Sequence, residues 1–301
     1  MKKWLWLSVL IVFWTGAGLA IIDFQQEQNR NDTPPPAQAD RIVSMAPNLT
    51  EILFALGLEE RIVGVTLDSD YPPAATKKLK VGTFWQPNIE AVIAAKPDLV
   101  ITLGFDQQRN LAERLKRIGY NSLILNIEKV SELFEAIQII GAATIKQHEA
   151  NELVHDITKK LDKLLALIGT NDRVRVLWVV QREPLRVAGR DTFINEMIEL
   201  AGGQNAIGPT LHKYPPIGAE QVIACQPEVI IEPAMNQADP AGQQASALQY
   251  WNKFRNVTAV VNKRVYVISG DTVSRLGPRL YEGTKTIARC LRPELFEKLA
   301  Q

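Results

Sequence analysis

The sequence predicts an α/β protein of two lobes, each built on a mostly parallel sheet, joined by one long interdomain helix. Three observations support this fold. Short apolar runs alternate with helical patterns, a strand-free helical pattern lies near the middle, and one twelve-residue segment occurs twice. With 301 residues and 46% hydrophobic content, the chain is able to bury a core in each of two lobes.

The alternation of strands and helices is clearest in the first half. We predict strands over 42–45, 62–65, 99–102 and 122–125, with helices over 49–56, 89–95 and 111–118. After Gly169 the pattern resumes with runs at 174–180, 193–201, 222–224, 229–231, 248–254 and 265–268, and a final helix over about 278–291. Such short apolar strands between helices are typical of parallel sheets covered on both faces.

The middle of the chain carries helical spacing without an intervening strand. Apolar residues between 131 and 168 fit one long helix or two abutting ones. A continuous helix over 147–168 would be about 33 Å long at 1.5 Å per residue, enough to cross from one lobe to the other. We therefore predict an N-terminal lobe over 41–143, a linking helix over 144–169 and a C-terminal lobe over 170–301.

The N-terminus indicates export. Lys2 and Lys3 precede an apolar run over 4–13 and a small-residue stretch over 15–20, which is typical of a signal peptide ending by residue 22. Because apolar residues continue to Ile22, an uncleaved membrane anchor over 4–22 is the alternative. The polar, proline-containing segment 23–40 suits a solvated spacer. Both alternatives predict a periplasmic or otherwise extracytoplasmic protein.

Composition and motifs narrow the function. The 34 Lys and Arg nearly balance the 33 Asp and Glu, so we expect no nucleic-acid partner. We find no nucleophile elbow, phosphate-binding glycine loop or zinc-protease helix, and the three histidines lack metal-ligand spacing. We therefore expect a non-enzymatic binding protein without a resident cofactor or metal. A membrane-tethered ligand sensor is an alternative of a different class.

A duplication relates the two lobes. The segments EAVIAAKPDLVI at 90–101 and EQVIACQPEVII at 220–231 match without gaps, with six of twelve positions identical. This places Glu90 and Glu220 at equivalent positions, each in the first turn of a predicted helix. Either carboxylate alone is explained by the helix dipole. A matched pair also suits docking onto a two-fold partner, where each carboxylate meets an arginine.

Several segments carry a family resemblance. They are RIVSMAPNLTE at 41–51, DYPP at 70–73, VGTFWQPNIE at 81–90, KPDLVI at 96–101, YPP at 214–216 and DTVSR at 271–275. Residues 41–301 resemble the helix-linked periplasmic binding proteins of ABC importers, which carry cobalamin, haem and ferric siderophores, and are most similar to the cobalamin-binding members. The resemblance implies delivery of a ligand to a transporter whose two membrane subunits engage Glu90 and Glu220.

Candidate ligand residues lie in loops that follow predicted strands, since open α/β sheets bind ligands at the carboxyl ends of their strands. They are Pro47, Tyr71, Phe84 and Trp85 in the first lobe, and Arg182, Tyr214, Asp271 and Arg275 in the second. The alternatives are a solvated surface charge for Arg182 and an ion pair between Asp271 and Arg275. For His212 we weigh a solvated loop residue against an axial ligand to a bound metal.

The expected ligand is a cobalamin-type corrinoid, with haem or a ferric siderophore as alternatives. Aromatic walls suit a flat macrocycle with a neutral rim, whereas haem propionates and anionic siderophores favour several converging cations. The two cysteines, Cys225 and Cys290, are predicted either to form a disulfide or to be buried thiols. In the resemblance, Cys290 matches one half of a disulfide whose other half is Ala201 here, so its partner would be Cys225.

Overall fold

The computed structural model describes residues 39–169, 172–234 and 239–297, and these belong to one compact unit. The predicted signal peptide or anchor, and all but the last two residues of the spacer, lie outside the described residues. Within the described ranges, no helix is both long enough and apolar enough to cross a membrane.

The N-terminal lobe is a four-stranded parallel sheet in the order β2-β1-β3-β4. Its strands are β1 (Ile42–Ser44), β2 (Ile62–Val65), β3 (Leu99–Leu103) and β4 (Ser122–Leu125). Its helices are α1 (Pro47–Ala55), α2 (Ile89–Ala94) and α3 (Asp106–Arg117), with short 3₁₀ turns at Glu59–Arg61 and Pro73–Lys77. The helix α3 begins five residues before its predicted start, because its polar first turn carries no apolar period to mark it.

Two abutting helices, rather than one, cover the strand-free middle of the chain. They are α4 (Val130–Thr144) and α5 (Gln147–Ile168). The chain turns at Ile145, which adopts a left-handed conformation with φ of 58°. Just before the turn, a Cβ atom at Gly141 would lie 2.5 Å from the Cβ of Ala150, so glycine permits the close approach of α4 to α5.

The C-terminal lobe contains β5 (Val174–Arg182), β6 (Leu185–Val187), β7 (Gly203–Asn205), β8 (Val229–Ala234) and β9 (Val265–Ser269). The order is β6-β5-β8-β9, with β7 also paired to β5, and only β6 is antiparallel. The helices are α6 (Phe193–Leu200), α7 (Ala219–Cys225), α8 (Pro240–Trp251), α9 (Thr258–Val261), α10 (Leu280–Leu291) and α11 (Pro293–Glu297). The predicted fold class, two mostly parallel lobes joined by a long helix, is confirmed.

The linking helix α5 contributes to a core that is shared by both lobes. Leu161 and Leu164 belong to the same apolar cluster as Ile42 of the first sheet and Val176 of the second. Burial of one such leucine contributes about 2 kcal/mol. The helix is therefore packed into the protein along its length and does more than connect the lobes.

Both cysteines are free thiols, so the disulfide between Cys225 and Cys290 is not formed. Side chains alternate between the two faces of β5, where Trp178 packs on one face and Leu177 on the other. Cys290 belongs to the cluster that contains Trp178, whereas Cys225 packs against the cluster that contains Leu177. The second sheet separates the two sulfur atoms. Burial raises the pKa of both thiols, for Cys290 to about 11.

Candidate functional site

The two lobes meet first through a partly buried cluster of polar and charged side chains, which we call the first bridge: Asn48, Glu51 and Asp70 of the N-terminal lobe with Asp271, Arg275 and Arg279 of the C-terminal lobe. Arg279 donates to both carboxylate oxygens of Glu51, at 2.8 and 2.6 Å. It also donates to Asp271, while Arg275 donates to Asp70. The Asn48 amide donates to the backbone oxygen of Leu276 at 3.0 Å.

Burial differs strongly within the first bridge. The Glu51 side chain is 3% exposed and its partner Arg279 is 14% exposed, whereas Asp70 is 55% exposed. Burial raises the pKa of Glu51, although hydrogen bonds from Arg279 oppose this effect. The hydrogen bond from Arg275 holds the pKa of Asp70 below its usual value. Glu51 and Arg279 therefore form the buried centre of the contact between the lobes, and Asp70 with Arg275 forms its solvent-exposed edge.

A second bridge joins the loop after β4 to the C-terminal lobe. Lys213 donates to Glu128 at 2.6 Å, and the backbone nitrogen of Val130 donates to Glu196 at 2.6 Å. Lys129 and Asp191 add an exposed pair at 3.9 Å. These contacts are mostly solvated and worth little individually.

Sheet topology places the two bridges at opposite sides of the interface. The first bridge uses residues that follow β1, β2 and β9, and the second uses residues that follow β4, β6 and β7. The carboxyl ends of β3, β5 and β8 lie between them. Ligands of open α/β sheets bind at such carboxyl ends, so the space between the bridges is the candidate binding cleft.

An aromatic trio forms the N-terminal wall of this cleft. The ring centroid of Phe84 lies 4.8 Å from that of Trp85 and 4.9 Å from that of Phe105, and the centroids of Trp85 and Phe105 lie 5.6 Å apart. Trp85 is nevertheless 65% exposed. A large aromatic ring that is held by neighbours yet open to solvent is suited to pack on a flat apolar ligand.

Polar contacts hold the loop of Phe84 and Trp85 in place beside Phe105, which lies just before α3. The buried Gln108 amide donates to the backbone oxygens of Met45 at 2.6 Å and Phe84 at 3.2 Å. Asp68 accepts from the backbone nitrogen of Phe84 at 2.6 Å. Gly82 has φ of +103°, and a Cβ atom there would lie 2.5 Å from the Asn88 nitrogen, so the turn requires glycine. The aromatic wall is therefore preorganised.

The C-terminal wall presents a charged pair. At the ends of β5 and β8, Arg182 Nε donates to Glu232 Oε2 at 3.0 Å beside a cavity of about 320 Å³. Glu232 also accepts from Trp251 Nε1 at 2.6 Å, and Arg182 donates to Ser246 at 2.8 Å. Arg182 is thus not the solvated surface charge that the sequence left as an alternative.

The structure brings three of the predicted ligand residues together in the first bridge. The Arg279 guanidinium lies 3.8 Å from the centroid of the Tyr71 ring, and Asp271 and Arg275 form, at 3.4 Å, the ion pair that the sequence left as an alternative to ligand binding. Pro47 lies half-buried at the first position of α1, next to Asn48 of the same bridge. Tyr71 and Arg275 thus contact the opposite lobe, whereas Asp271 pairs with Arg275 and Arg279 of its own lobe.

The remaining candidates lie apart from the first bridge. Phe84 and Trp85 are in the aromatic wall, and Arg182 is in the charged wall. Tyr214 is half-exposed in the loop before α7, where its backbone oxygen accepts from Arg186 at 3.2 Å. His212 is exposed in the same loop, and no group of three potential metal ligands is found within 39–169, 172–234 and 239–297.

Sequence reasoning missed Glu51, Phe105, Glu232 and Arg279. Glu51 closes the 41–51 segment and Phe105 follows a predicted strand after a glycine, so both positions carried a signal. Nothing in the sequence around Arg279 or Glu232 indicated a role, because each is an ordinary charged residue until its partner, Glu51 or Arg182, is known.

The duplicated segments have the same backbone. Lys96 and Gln226, each just before a proline, are both left-handed, with φ of 47° and 39°. Each unit is also held in the same way: Arg41 donates to the Ala95 oxygen at the end of α2, and Arg175 donates to the equivalent Cys225 oxygen at the end of α7.

An acidic residue completes each of these clamps. The backbone nitrogen of Arg41 donates to Asp98, and that of Arg175 donates to Glu228 at 2.9 Å. The exposed Glu90 and Glu220 therefore stand on structurally equivalent helices.

Comparison with known proteins gives consistent results. An uncharacterized ABC transporter substrate-binding lipoprotein of Bacillus subtilis is 29% identical over 279 residues, 90% of this chain and 86% of the relative. The crystal structure of the periplasmic vitamin B12-binding protein of Vibrio cholerae is 26% identical, with a TM-score of 0.74 over 86% of this chain and 98% of that one. A periplasmic haem-binding protein of Vibrio cholerae shares the fold at 24% identity, with a TM-score of 0.74 over 84% of this chain and 99% of that one.

The chain shares its two-lobed architecture with these relatives, which are solute-binding proteins and not enzymes. The family model described as "Periplasmic binding protein" matches residues 42–272. The chain belongs to this family, as a substrate-binding protein of an ABC transporter.

Proposed function

We propose that this protein captures a cobalamin-type corrinoid outside the cytoplasm and delivers it to the membrane subunits of an ABC importer. The observation that carries the proposal is the preorganised aromatic wall at the carboxyl edge of the first sheet, in which Trp85 is exposed while Phe84 and Phe105 are half-buried. A corrinoid has broad apolar faces that an aromatic wall is able to cover. The vitamin B12-binding relative from Vibrio cholerae supports the same ligand class.

Charge pairing favours a neutral ligand over an anionic one. Arg182, Arg275 and Arg279 each have a carboxylate partner in the structure. Arg186 and Arg190 donate to backbone oxygens, those of Tyr214 and Ile207. Haem propionates or an anionic siderophore would have to compete with the carboxylates for the paired guanidinium groups, whereas the neutral amide rim of a corrinoid does not.

Calorimetric titration with cyanocobalamin, haemin and a ferric hydroxamate tests the ligand. We expect micromolar or tighter binding of cyanocobalamin alone. Trp85→Ala should weaken it by about 2 kcal/mol, roughly thirtyfold, because a central aromatic contact is lost, and Trp85→Phe should restore most of it. Val261→Ala, which trims a side chain of similar exposure on α9 (62% against 65%), is the control. Binding of haemin or the hydroxamate without binding of cyanocobalamin would replace the ligand with that alternative.

Transporter docking is proposed at Glu90 and Glu220. Each helix leads through a proline into the amino end of a sheet strand, so its first turn, with the glutamate, lies toward the cleft edge of its lobe. Charge reversal, Glu90→Lys or Glu220→Lys, should reduce transporter-coupled uptake about tenfold or more while leaving calorimetric affinity unchanged. Glu60→Lys, on an exposed turn, is the control. Equal loss of ligand affinity would place the glutamates in the binding site, and unchanged uptake would favour a tethered sensor.

Localisation follows from the predicted export segment. Lys2, Lys3 and the apolar run over 4–13 support a position outside the cytoplasm, whether the segment is cleaved or retained. The protein is therefore proposed to be free in the periplasm or held by residues 4–22. Fractionation of the native host checks this: full-length protein in the cytosol would contradict it.

A further inference from the structure

The cavity beside Arg182 and Glu232 has features that the macrocycle proposal does not use. It lies at the carboxyl ends of β5 and β8, and Val179, Val180 and Val267 form its apolar sides. Its volume of about 320 Å³ is at the lower end of the range for small-molecule sites. A whole corrinoid does not fit into such a space, but a side chain on its rim does.

Hydrogen bonds hold Arg182 and Glu232 in place beside the cavity, but they do not use all the donors and acceptors of the two side chains. Glu232 is 7% exposed, and its contacts with Arg182 and Trp251 use two of about four acceptor positions. Arg182 uses two of its five N–H donors on Glu232 and Ser246. Among contacts between described residues, the pair therefore presents unused donors directly beside unused acceptors, and both side chains line the cavity.

Because Arg182 offers hydrogen-bond donors beside the acceptors of Glu232, the pair favours a ligand group that both donates and accepts. A primary carboxamide both donates through its nitrogen and accepts through its oxygen, so it is able to bond Glu232 and Arg182 together. A carboxylate only accepts. Its charge would also face that of Glu232, which solvent screens weakly because this side chain is only 7% exposed.

We propose that Arg182 and Glu232 form a carboxamide-binding site, which receives one peripheral amide side chain of the ligand and rejects the corresponding carboxylate. The inference rests on the proposed corrinoid ligand and deepens it. Glu232 acts as the specificity-determining residue, since it supplies the acceptor and the repulsion, while Arg182 binds the amide oxygen. Haem, whose polar side chains are carboxylates, would be disfavoured by the same residue.

The test compares cyanocobalamin with its monocarboxylic acid derivatives, in each of which one peripheral amide is hydrolysed. At neutral pH the wild-type protein should bind at least one derivative about tenfold or more weakly than cyanocobalamin. Glu232→Gln should narrow that gap to about threefold or less, because the opposing charge is gone. Glu294→Gln, an equal charge change on the exposed first turn of α11, should keep the full gap.

A second variant covers the case in which Glu232→Gln does not fold. Arg182→Gln removes the donor at a less buried side chain, 27% exposed, and should weaken cyanocobalamin itself about tenfold. Equal affinity of all derivatives for the wild-type protein, or an unchanged gap in folded Glu232→Gln, would overturn the carboxamide site while leaving the corrinoid assignment intact. Failure of cyanocobalamin to bind at all would overturn both.

Discussion

The two lobes share one structural unit but present different chemistry to the cleft. In each lobe a short helix, a left-handed residue, a proline and a strand repeat, and an arginine at or just before the start of an earlier strand donates to the end of the helix. At the cleft, the N-terminal lobe offers the aromatic rings of Phe84 and Trp85, and the C-terminal lobe offers charged pairs. The duplicated part is a scaffold, and the part that differs is the part that meets a ligand.

The largest expected effect comes from the first bridge, where Arg279 of the C-terminal lobe pairs with Glu51 of the N-terminal lobe. Arg279→Met should lower the free energy of unfolding by about 3 kcal/mol, because it leaves Glu51 buried without its partner. Urea denaturation measures this. Arg275→Met, whose partner Asp70 is 55% exposed, should cost clearly less.

A double variant isolates the pair from other effects of Arg279. The double variant Glu51→Gln with Arg279→Met should lose less free energy of unfolding than the two single variants together, because the buried charge of Glu51 is removed along with its partner. Full additivity would mean that the two side chains do not depend on each other.

The stability of the protein should depend on pH in opposite directions through Glu51 and Asp70, the two carboxylates that the N-terminal lobe contributes to the first bridge. These effects on the free energy of unfolding should be smaller than that of Arg279→Met. The pKa of Glu51 is raised by burial, so its contribution is present below the ordinary carboxyl pKa and is lost as pH rises through the raised value. The pKa of Asp70 is lowered by its hydrogen bond from Arg275, so its contribution is present above the ordinary pKa and is lost as pH falls through the lowered value.

The measurement is urea denaturation of Glu51→Gln and Asp70→Asn from about pH 3 to pH 8. Relative to wild type, Glu51→Gln should become less destabilising as pH rises, and Asp70→Asn should become more destabilising. The same sign for both variants would show that burial does not control Glu51.

The scaffold itself should respond equally in the two lobes. Arg41→Gln and Arg175→Gln should each lower the free energy of unfolding by about 1 kcal/mol, since each removes hydrogen bonds to carbonyls at a helix end. Arg114→Gln on the exposed face of α3 should change nothing measurable. A loss in only one lobe would break the equivalence of the two units.

The smallest expected effect concerns a difference between the repeats. Asn88 caps α2 by accepting from the Ala91 nitrogen, whereas Gly218 at the start of α7 offers no side chain. Gly218 has extended backbone, and a Cβ atom added there would have nothing within 4 Å, so Gly218→Asn should stabilise the protein by about 0.5 kcal/mol. Gly208→Asn, equally open but outside a helix start, is the control, and an equal gain there would contradict capping.

Much of the fold was predictable because regular structure leaves a local pattern. The bounds of β2, β4 and α5 agree with the predicted ranges 62–65, 122–125 and 147–168. The strands β6 and β7 were missed because neither contains an apolar run: Arg186 separates the two apolar residues of β6, and β7 is Gly-Gln-Asn. The break at Ile145 was left open because an isoleucine does not itself indicate a left-handed turn.

The candidate site was predicted less completely. The position of Phe84 and Trp85 in a polar loop indicated exposed aromatic residues, and the i,i+4 spacing of Asp271 and Arg275 indicated their pairing. The partners across the cleft were not visible. Glu51 and Arg279 are 228 residues apart, and no local pattern connects them.

The sequence by itself determined the order of helices and strands, the long link and the repeated unit, because periodicity and turn chemistry act over a few neighbouring residues. Only the tertiary structure decided which charges meet. It placed the two cysteines on opposite faces of one sheet, and it joined Arg279 to Glu51 and Arg182 to Glu232. These pairings depend on how distant strands are ordered in their sheets, which local physics along the chain does not specify.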